Sequence, residues 1–253
     1  MTSLRGKTVL ITRAEQQAKQ MSTEVQKQGG IPVEIPLLHI TAVSDENFQQ
    51  VYDELNTYNW IIFTSKNGVN FFLDGIKQPL PHTIKIAAVG VKTKKELEQR
   101  GYIVHFVPTA FVAEAFAEEF VSHIGSGTRV LLSKGNLARD VISKALRGHG
   151  AIVRELIVYE TTVHAQKRRQ LIDALQSREI DVITFTSPST VQSFIALLEG
   201  ENWREWIKGC TIACIGPITE REARKHFQNL LIPKEYTIEA MLQCISEYYY
   251  KNV

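Results

Sequence analysis

Short runs rich in valine, isoleucine and phenylalanine alternate along the chain with segments whose apolar residues recur at helical spacing. A short apolar run predicts a buried strand, and the amphipathic segment after it predicts a helix. The predicted strand and helix pairs are Thr8–Thr12 with Glu15–Gln28, Trp60–Phe63 with Gly68–Asp74, Ile84–Val89 with Lys92–Arg100, Arg129–Leu132 with Arg139–Arg147, Asp181–Phe185 with Thr190–Glu199, and Thr211–Ile215 with Glu220–Phe227. Because this alternation is typical of βαβ units and parallel sheets, we predict an α/β fold.

The second half of the chain repeats the first in detail. The paired blocks are Val9–Arg13 with Val130–Lys134, Trp60–Phe72 with Val182–Phe194, Ala87–Thr93 with Ala213–Thr219, and Pro108–Ala115 with Pro233–Ala240. The second pair shares six of its thirteen residues, and the offset stays between 121 and 126 residues across all four pairs. Chance alignment of generic βα units explains such an offset poorly, so we infer an internal duplication that gives two similar parallel-sheet domains.

Two domain arrangements are compatible with this repeat. A tandem arrangement would divide the chain near Gly125–Gly127. The segments Ile31–Val43 and Ala151–Val163, however, each contain about thirteen residues of extended character, whereas a strand usually has about five or six. Each segment could therefore finish one sheet and run on into the other, so that a two-stranded connector joins domains that exchange halves.

Composition and charge limit the kinds of protein that this chain can be. Of the 253 residues 44% are apolar, enough for a sizeable core, and a net charge of +2 favours no nucleic-acid partner. The segment Met1–Arg13 carries charge inside its apolar run, and no stretch reaches the roughly 18 apolar residues of a membrane span. We therefore expect a cytoplasmic protein with no membrane partner. Cys210, Cys214 and Cys244 include no Cys-x-x-Cys pair, which favours core thiols over a disulfide framework or a metal site.

Polar residues follow the predicted strands at one repeated location. The segments are Thr12–Arg13, Thr64–Asn67, Gly90–Thr93, Ser133–Asn136, Thr186–Ser189 and Gly216–Thr219. In an open parallel sheet this carboxyl edge binds ligands, and free backbone N–H groups at helix starts favour carboxylates or phosphates there. An edge that faces its duplicate would form an anion-binding cleft.

Helix capping is the alternative explanation for these segments, because serine, threonine and asparagine are routine caps. Capping accounts well for Ser187 and Ser189. It accounts less well for the cations at or just past the strand ends, which are Arg13, Lys66, Lys134 and Arg139.

Other catalytic patterns are missing from the sequence. Gly125–Gly127 precedes a strand, so neither a dinucleotide fingerprint nor a phosphate-binding loop fits it. No nucleophile elbow or metal-type histidine spacing occurs, and the seven histidines are scattered singly. We therefore expect no metal and no cofactor.

The joint order of several short blocks resembles the uroporphyrinogen-III synthase family over nearly the whole chain. The blocks are Ile11–Arg13, Gly29–Gly30, Phe63–Val69, Ala88–Thr93, Leu146–Ala151, Val158–Thr161, Phe185–Ser189 and Ile215–Thr219. The family is similar in having a duplicated pair of α/β domains with a two-stranded connector and a deep cleft. The resemblance thus favours exchanged halves, with one domain of residues 1–38 plus 161–253 and the other of residues 39–160.

The resemblance implies a cofactor-independent lyase of porphyrin and heme biosynthesis. Its substrate would be hydroxymethylbilane, a linear tetrapyrrole with eight carboxylates. Water leaves the hydroxymethyl group on ring A, the substituted carbon of ring D attacks the azafulvene, and a spiro intermediate recloses with ring D inverted. We expect a monomer that makes transient contact with the preceding enzyme of the pathway.

Candidate site residues follow from matching this sequence to the family. Tyr159, in the Val158–Thr161 block, is the candidate general acid for the departing hydroxyl, because a phenol stays protonated at neutral pH. Packing of its ring near the connector is an equally weighted alternative. Thr93 and Thr219 match family positions that face the cleft, although both could only cap helices. The expected substrate-binding residues are Arg13, Ser65, Lys66, Asn67, Thr93, Lys134, Thr186, Ser187 and Thr219.

A second function of another class also fits a pair of hinged α/β domains. A non-catalytic receptor for a small polyanion would use the same cationic edges. A secretion signal would favour that alternative, and incubation with a receptor would return the ligand unchanged.

Overall fold

The structure, a computed structural model, describes residues 4–43 and 47–251. Its strands are β1 (Thr8–Ile11), β2 (Ile31–Glu34), β3 (Leu38–Ala42), β4 (Trp60–Phe63), β5 (Lys85–Ala88), β6 (Arg129–Gly135), β7 (Ile152–Val163), β8 (Val182–Phe185), β9 (Thr211–Cys214) and β10 (Leu230–Leu231). Its α-helices are α1 (Glu15–Lys27), α2 (Asn47–Asp53), α3 (Lys66–Gly75), α4 (Val91–Gln99), α5 (Ala113–Phe120), α6 (Val141–Gly148), α7 (Arg168–Gln176), α8 (Pro188–Leu197), α9 (Trp203–Trp206), α10 (Pro217–Ala223) and α11 (Ile238–Lys251). Short 3₁₀ turns are formed by Leu55–Thr57, Val121–His123 and Ala165–Lys167.

The chain divides into two compact units, Met1–His39 with Thr162–Val253 and Ile40–Thr161. The first unit holds a sheet of order β10-β9-β8-β1-β2, and the second sheet has the order β3-β7-β6-β4-β5. The described pairings within β1, β2 and β8 to β10, and within β4 to β7, are parallel. The prediction of a two-domain α/β fold with parallel-dominated sheets is confirmed.

The central strands are buried on both faces, which explains why the sequence shows them as unbroken apolar runs. Every residue of β4 and of β8 is buried. In the first unit alternate residues of β1 enter two clusters, with Leu10 in one and Val9 and Ile11 in the other. A strand between two helical layers has no solvent face and therefore loses its polar alternation.

The two sheets place corresponding blocks of the sequence repeat in the same order. In the repeat, β6, β4 and β5 correspond to β1, β8 and β9, and each triplet is contiguous in its sheet. This agreement is what a duplication would produce. The duplication itself stays an inference from the sequence.

The two long extended segments behave differently from one another. The first is interrupted at Ile35–Leu37, because Pro36 lacks the N–H that a continuous ladder would use, and its two parts, β2 and β3, belong to different sheets. The second forms one twelve-residue strand, β7, and stays in the second sheet. One hydrogen bond joins Val43 N, just after β3, to Val158 O in the middle of β7, and another joins Leu37 O, just before β3, to His164 N, just after β7. Residue numbers rise along one strand as they fall along the other, so β3 and β7 are antiparallel.

Domain organisation can be tested with a fragment that ends at Gly127. Such a fragment lacks β8, which pairs with β1, and β6, which pairs with β4. Since each sheet would lose its middle strand, we expect no cooperative urea unfolding by circular dichroism, whereas the full chain should show one. A cooperative transition in the fragment would support tandem domains instead.

No helix in the described ranges is long and apolar enough to cross a membrane. The three cysteines are free of disulfides, and Cys214 lies in the core of the first unit, where burial raises the pKa of its thiol to about 12.

Candidate functional site

Tyr159 is held at a bulge in the second sheet. β6 and β7 pair in register up to Lys134 and Ile157, and the next pair is Gly135 with Tyr159, so Val158 is the extra residue. A bulge of this kind redirects the side chain that follows it. Here the Tyr159 ring occupies the space in front of the Gly135 backbone.

Gly135 is required by the position of that ring. A Cβ added to Gly135 would lie 2.6 Å from Cε2 and 2.7 Å from Oη of Tyr159. Both distances are shorter than carbon and oxygen atoms tolerate, so any other residue at 135 would displace the tyrosine. The close approach of backbone and ring explains a glycine at the end of a strand.

The hydroxyl of Tyr159 has one described partner. It lies 3.0 Å from the Ser65 hydroxyl, and either group can donate this hydrogen bond. Ser65 also caps α3 by accepting from Gly68 N at 2.9 Å. The Tyr159 ring stacks on Phe71 with centroids 5.7 Å apart. Both proposed roles of Tyr159 thus have a structural basis, since the ring packs and the half-buried phenol is held by a polar group.

The end of β7 is fixed by Asn136. Its backbone N–H donates to Tyr159 O at 3.2 Å, its side-chain oxygen accepts from Thr161 N at 2.9 Å, and its amide donates to Thr161 O at 3.3 Å. The side chain therefore continues the ladder beyond the last residue of β6. These bonds limit the movement of the backbone that carries Tyr159.

We expect Gly135→Ala to lower the free energy of unfolding by about 1–3 kcal/mol, because the added methyl must push the Tyr159 ring from its place. Urea unfolding of the purified variant measures this loss. Gly148→Ala is the matched control, since a Cβ at that position meets no atom within 4 Å. Equal stability of the two variants would contradict the described packing.

Arg13 is the one strand-end cation without an acidic partner in the described part of the chain. It follows β1 and is half-buried, and its guanidinium donates to Gln17 Oε1 from Nη2 at 2.9 Å and from Nε at 3.3 Å. Burial lowers the pKa of this guanidinium, which nevertheless stays charged at neutral pH. Thr12 beside it is buried and donates to Thr184 O at 2.7 Å, which ties the end of β1 to β8.

The other three cations have acidic partners. Lys66 lies 2.9 Å from Glu96, and the buried Lys134 lies 2.7 Å from Glu155. The third, Arg139, is paired on the surface with Glu114. The charges of these three side chains are already balanced, so Arg13 is the best-placed of the four to meet an anion.

Thr93 and Thr219 occupy equivalent places, three residues after the N-cap glycines of α4 and α10. The two residues are 4% and 3% exposed. Neither hydroxyl hydrogen-bonds to any other residue that the structure describes, and neither helix has a side-chain cap. The capping alternative therefore does not describe these two threonines.

Capping does describe Ser187. Its side chain accepts from Thr190 N at 3.2 Å, and the two residues form a capping box at the start of α8. Thr186 and Asn67 are half-buried beside the caps of α8 and α3. The carboxyl edge of the second sheet thus brings together Ser65, Asn67 and Tyr159, and the carboxyl edge of the first sheet carries Arg13, Thr186 and Ser187.

Sequence reasoning did not single out Gly135, Phe71 or Asn136 as parts of the site. The sequence places Gly135 and Asn136 in a polar segment that follows a strand, whereas β6 runs on to Gly135, and nothing in the sequence indicates the bulge at Val158. A glycine that ends a strand in line with a tyrosine near the end of the next strand is the signal that was available. Over residues 4–43 and 47–251, no group of three or more histidine, cysteine, aspartate or glutamate side chains is placed to hold a metal ion.

Comparison with known proteins gives consistent matches. The model of the family described as uroporphyrinogen-III synthase HemD matches residues 19–243. The chain is 30% identical over 261 residues to a uroporphyrinogen-III synthase of Synechococcus elongatus, covering 96% of both proteins. It is 27% identical over 248 residues to the porphyrin biosynthesis protein HemD of Ruminiclostridium josui, and it spans about half of that longer protein, 48%.

A solved structure is similar over the same length. A mutant uroporphyrinogen III synthase of Thermus thermophilus matches with a TM-score of 0.67 at 16% identity, over 97% of this chain and 99% of the other. At this level of identity the likeness concerns the fold.

Proposed function

This chain belongs to the uroporphyrinogen-III synthase family, and from that premise we propose that it cyclises hydroxymethylbilane to uroporphyrinogen III, with loss of water and inversion of ring D. It acts as a lyase. The observation that carries the proposal is the placement of Tyr159, whose hydroxyl is held 3.0 Å from Ser65 at the carboxyl edge of a parallel sheet. Ligands of open α/β sheets bind at that edge.

The reaction requires one proton transfer to the leaving group. The ring A hydroxyl departs as water when it receives a proton, and the pyrrole nitrogen supplies electrons to form the azafulvene. We assign the proton donor to Tyr159. Because Ser65 can donate to the phenol oxygen in return, the charge that develops on that oxygen is stabilised by a group already in contact.

The rest of the catalytic task is positional. The free substrate closes unaided to the wrong isomer, so the enzyme must hold the chain folded while the substituted carbon of ring D attacks. Carboxylates of the substrate are bound by Arg13 and by N–H groups at the starts of α3, α4 and α8, where the helix dipole favours negative charge. The unpartnered hydroxyls of Thr93 and Thr219 can donate to further polar groups of the substrate.

The carboxylate-binding role of Lys66 and Lys134 is proposed with less support than that of Arg13. Either lysine would have to leave its glutamate, or share it, to meet a substrate carboxylate. Asn67, Thr186 and Ser187 lie at the same edges and complete the proposed binding set.

The decisive experiment supplies enzymatically generated hydroxymethylbilane to the purified protein without added metal, nucleotide or flavin. We expect nearly all of the product to be the type III isomer, as resolved by chromatography after oxidation. An isomer ratio equal to that of spontaneous closure would overturn the proposal. The same result would revive the non-catalytic polyanion receptor, which the family relationship does not favour.

We also predict a cytoplasmic location, a monomeric state and transient contact with the preceding enzyme of the pathway. Light scattering coupled to gel filtration tests the second of these directly.

A further inference from the structure

Each unit exposes an aromatic side chain in an equivalent loop. Phe111 precedes α5 and is 55% exposed, and Tyr236 precedes α11 and is 62% exposed. The offset between them is 125 residues, the same as that between Pro108 and Pro233, so the sequence repeat pairs the two positions.

The two loops share their backbone hydrogen bonds. Val112 N donates to Ala110 O at 2.9 Å, and Thr237 N donates to Glu235 O at 3.0 Å. Each bond closes a three-residue γ-turn with the aromatic residue at its centre. Both aromatics are therefore held at the centre of the same kind of turn, and both side chains are exposed.

Each aromatic also lies beside the glycine that precedes a site threonine. A Cβ on Gly90 would lie 3.8 Å from Cβ of Phe111, and a Cβ on Gly216 would lie 3.1 Å from Cγ and Cδ1 of Tyr236. Gly90 and Gly216 are the N-caps of the helices that carry Thr93 and Thr219. The rings therefore belong to the same edges as the proposed substrate-binding residues.

Other large apolar side chains are exposed at these edges. In the second unit the exposed apolar residues are Val91 and Leu137, which follow strands, and Val112, which precedes α5. In the first unit Ile218 lies in the first turn of α10. An exposed apolar patch can mark a ligand-binding surface, and these side chains lie at the edges where the proposed substrate binds. Carboxylate binding alone gives no reason for them.

We propose that Phe111 and Tyr236, each at the edge of its own sheet, are substrate-contact residues that pack against pyrrole rings of the tetrapyrrole. This inference rests on the proposed function and adds apolar contacts to it. A linear tetrapyrrole carries flat π-systems as well as carboxylates, and aromatic side chains are the protein groups that pack best on such rings. The contacts fix where two pyrroles lie, which the ring D inversion requires.

The test compares Phe111→Ala and Tyr236→Ala with two control variants. Tyr250→Ala and Ile103→Ala remove side chains that are 72% and 76% exposed and lie outside these loops. We expect each test variant to raise KM about fivefold to tenfold with kcat within about twofold, the loss of one aromatic contact. We also expect a larger share of the type I isomer. The controls should match the wild-type protein.

Thermal unfolding of each variant separates contact from folding. If an alanine variant melts several degrees lower, Phe111→Leu or Tyr236→Leu replaces it, because leucine keeps apolar cover over the glycine and removes the ring. Wild-type KM and wild-type isomer ratio in folded test variants would overturn this inference and leave the proposed function intact. A wild-type protein that forms no type III isomer would overturn both.

Discussion

Tyr159→Phe is expected to lower kcat by up to about 100-fold while KM changes by less than about twofold. The substitution removes one hydroxyl and keeps the ring. The stacking on Phe71 and the fit over Gly135 should therefore survive. A change confined to kcat is the result that separates proton donation from packing.

The comparison that makes this result informative is Tyr58→Phe. Tyr58 lies in the same unit, and its buried hydroxyl has no hydrogen-bond partner among the residues that the structure describes. Removing that hydroxyl should leave kcat and KM unchanged. A wild-type turnover number for Tyr159→Phe would show that leaving-group ionisation is driven by the substrate's own pyrrole nitrogen, with positioning as the main catalytic device.

Ser65→Ala extends the same argument to the partner of the phenol. It should reduce kcat as well, and it should also cost about 1 kcal/mol of stability, because Ser65 caps α3. Measuring unfolding together with turnover distinguishes these two effects.

The regular parts of the fold were predictable from the sequence because burial on both faces leaves a plain signature. β4 and β8 read as short apolar runs, and both are strands at the positions expected. The helix that follows β8 begins at Pro188, two residues before the expected start, because Ser187 supplies a cap. A helix cap of this kind depends only on neighbouring residues, so the sequence can show it.

The parts of the site that were not predictable depend on contacts between distant residues. The bulge at Val158 is set by the pairing of β6 with β7, and a one-residue irregularity leaves no periodic trace in either strand. Whether a strand-end cation has an acidic partner also depends on distant residues. Lys134 and Arg13 occupy paired positions in the repeat, yet only Lys134 lies beside a glutamate, Glu155, which comes from the neighbouring strand.

Arg13→Ala is expected to raise KM about tenfold to 100-fold with a smaller change in kcat. A charge-assisted hydrogen bond to a carboxylate contributes about 1.5–3 kcal/mol. In the free protein the Arg13 guanidinium donates only to the neutral side chain of Gln17 among the described residues. No ion pair has to break before it binds an anion. Losing the charge should also weaken the dependence of KM on salt, because fewer charged contacts remain to be screened.

Two further variants decide whether this effect belongs to Arg13 itself. Arg13→Lys should recover only part of the affinity, since an ammonium keeps the charge but loses the two-pronged geometry of a guanidinium. Arg169→Ala removes an arginine that is 83% exposed and paired with Asp173 within α7, so KM and its salt dependence should stay at wild-type values. Steady-state kinetics at two salt concentrations measure all three variants. If Arg13→Ala and Arg169→Ala gave the same KM, carboxylate binding would have to rest on helix N-termini and on the paired lysines rather than on Arg13.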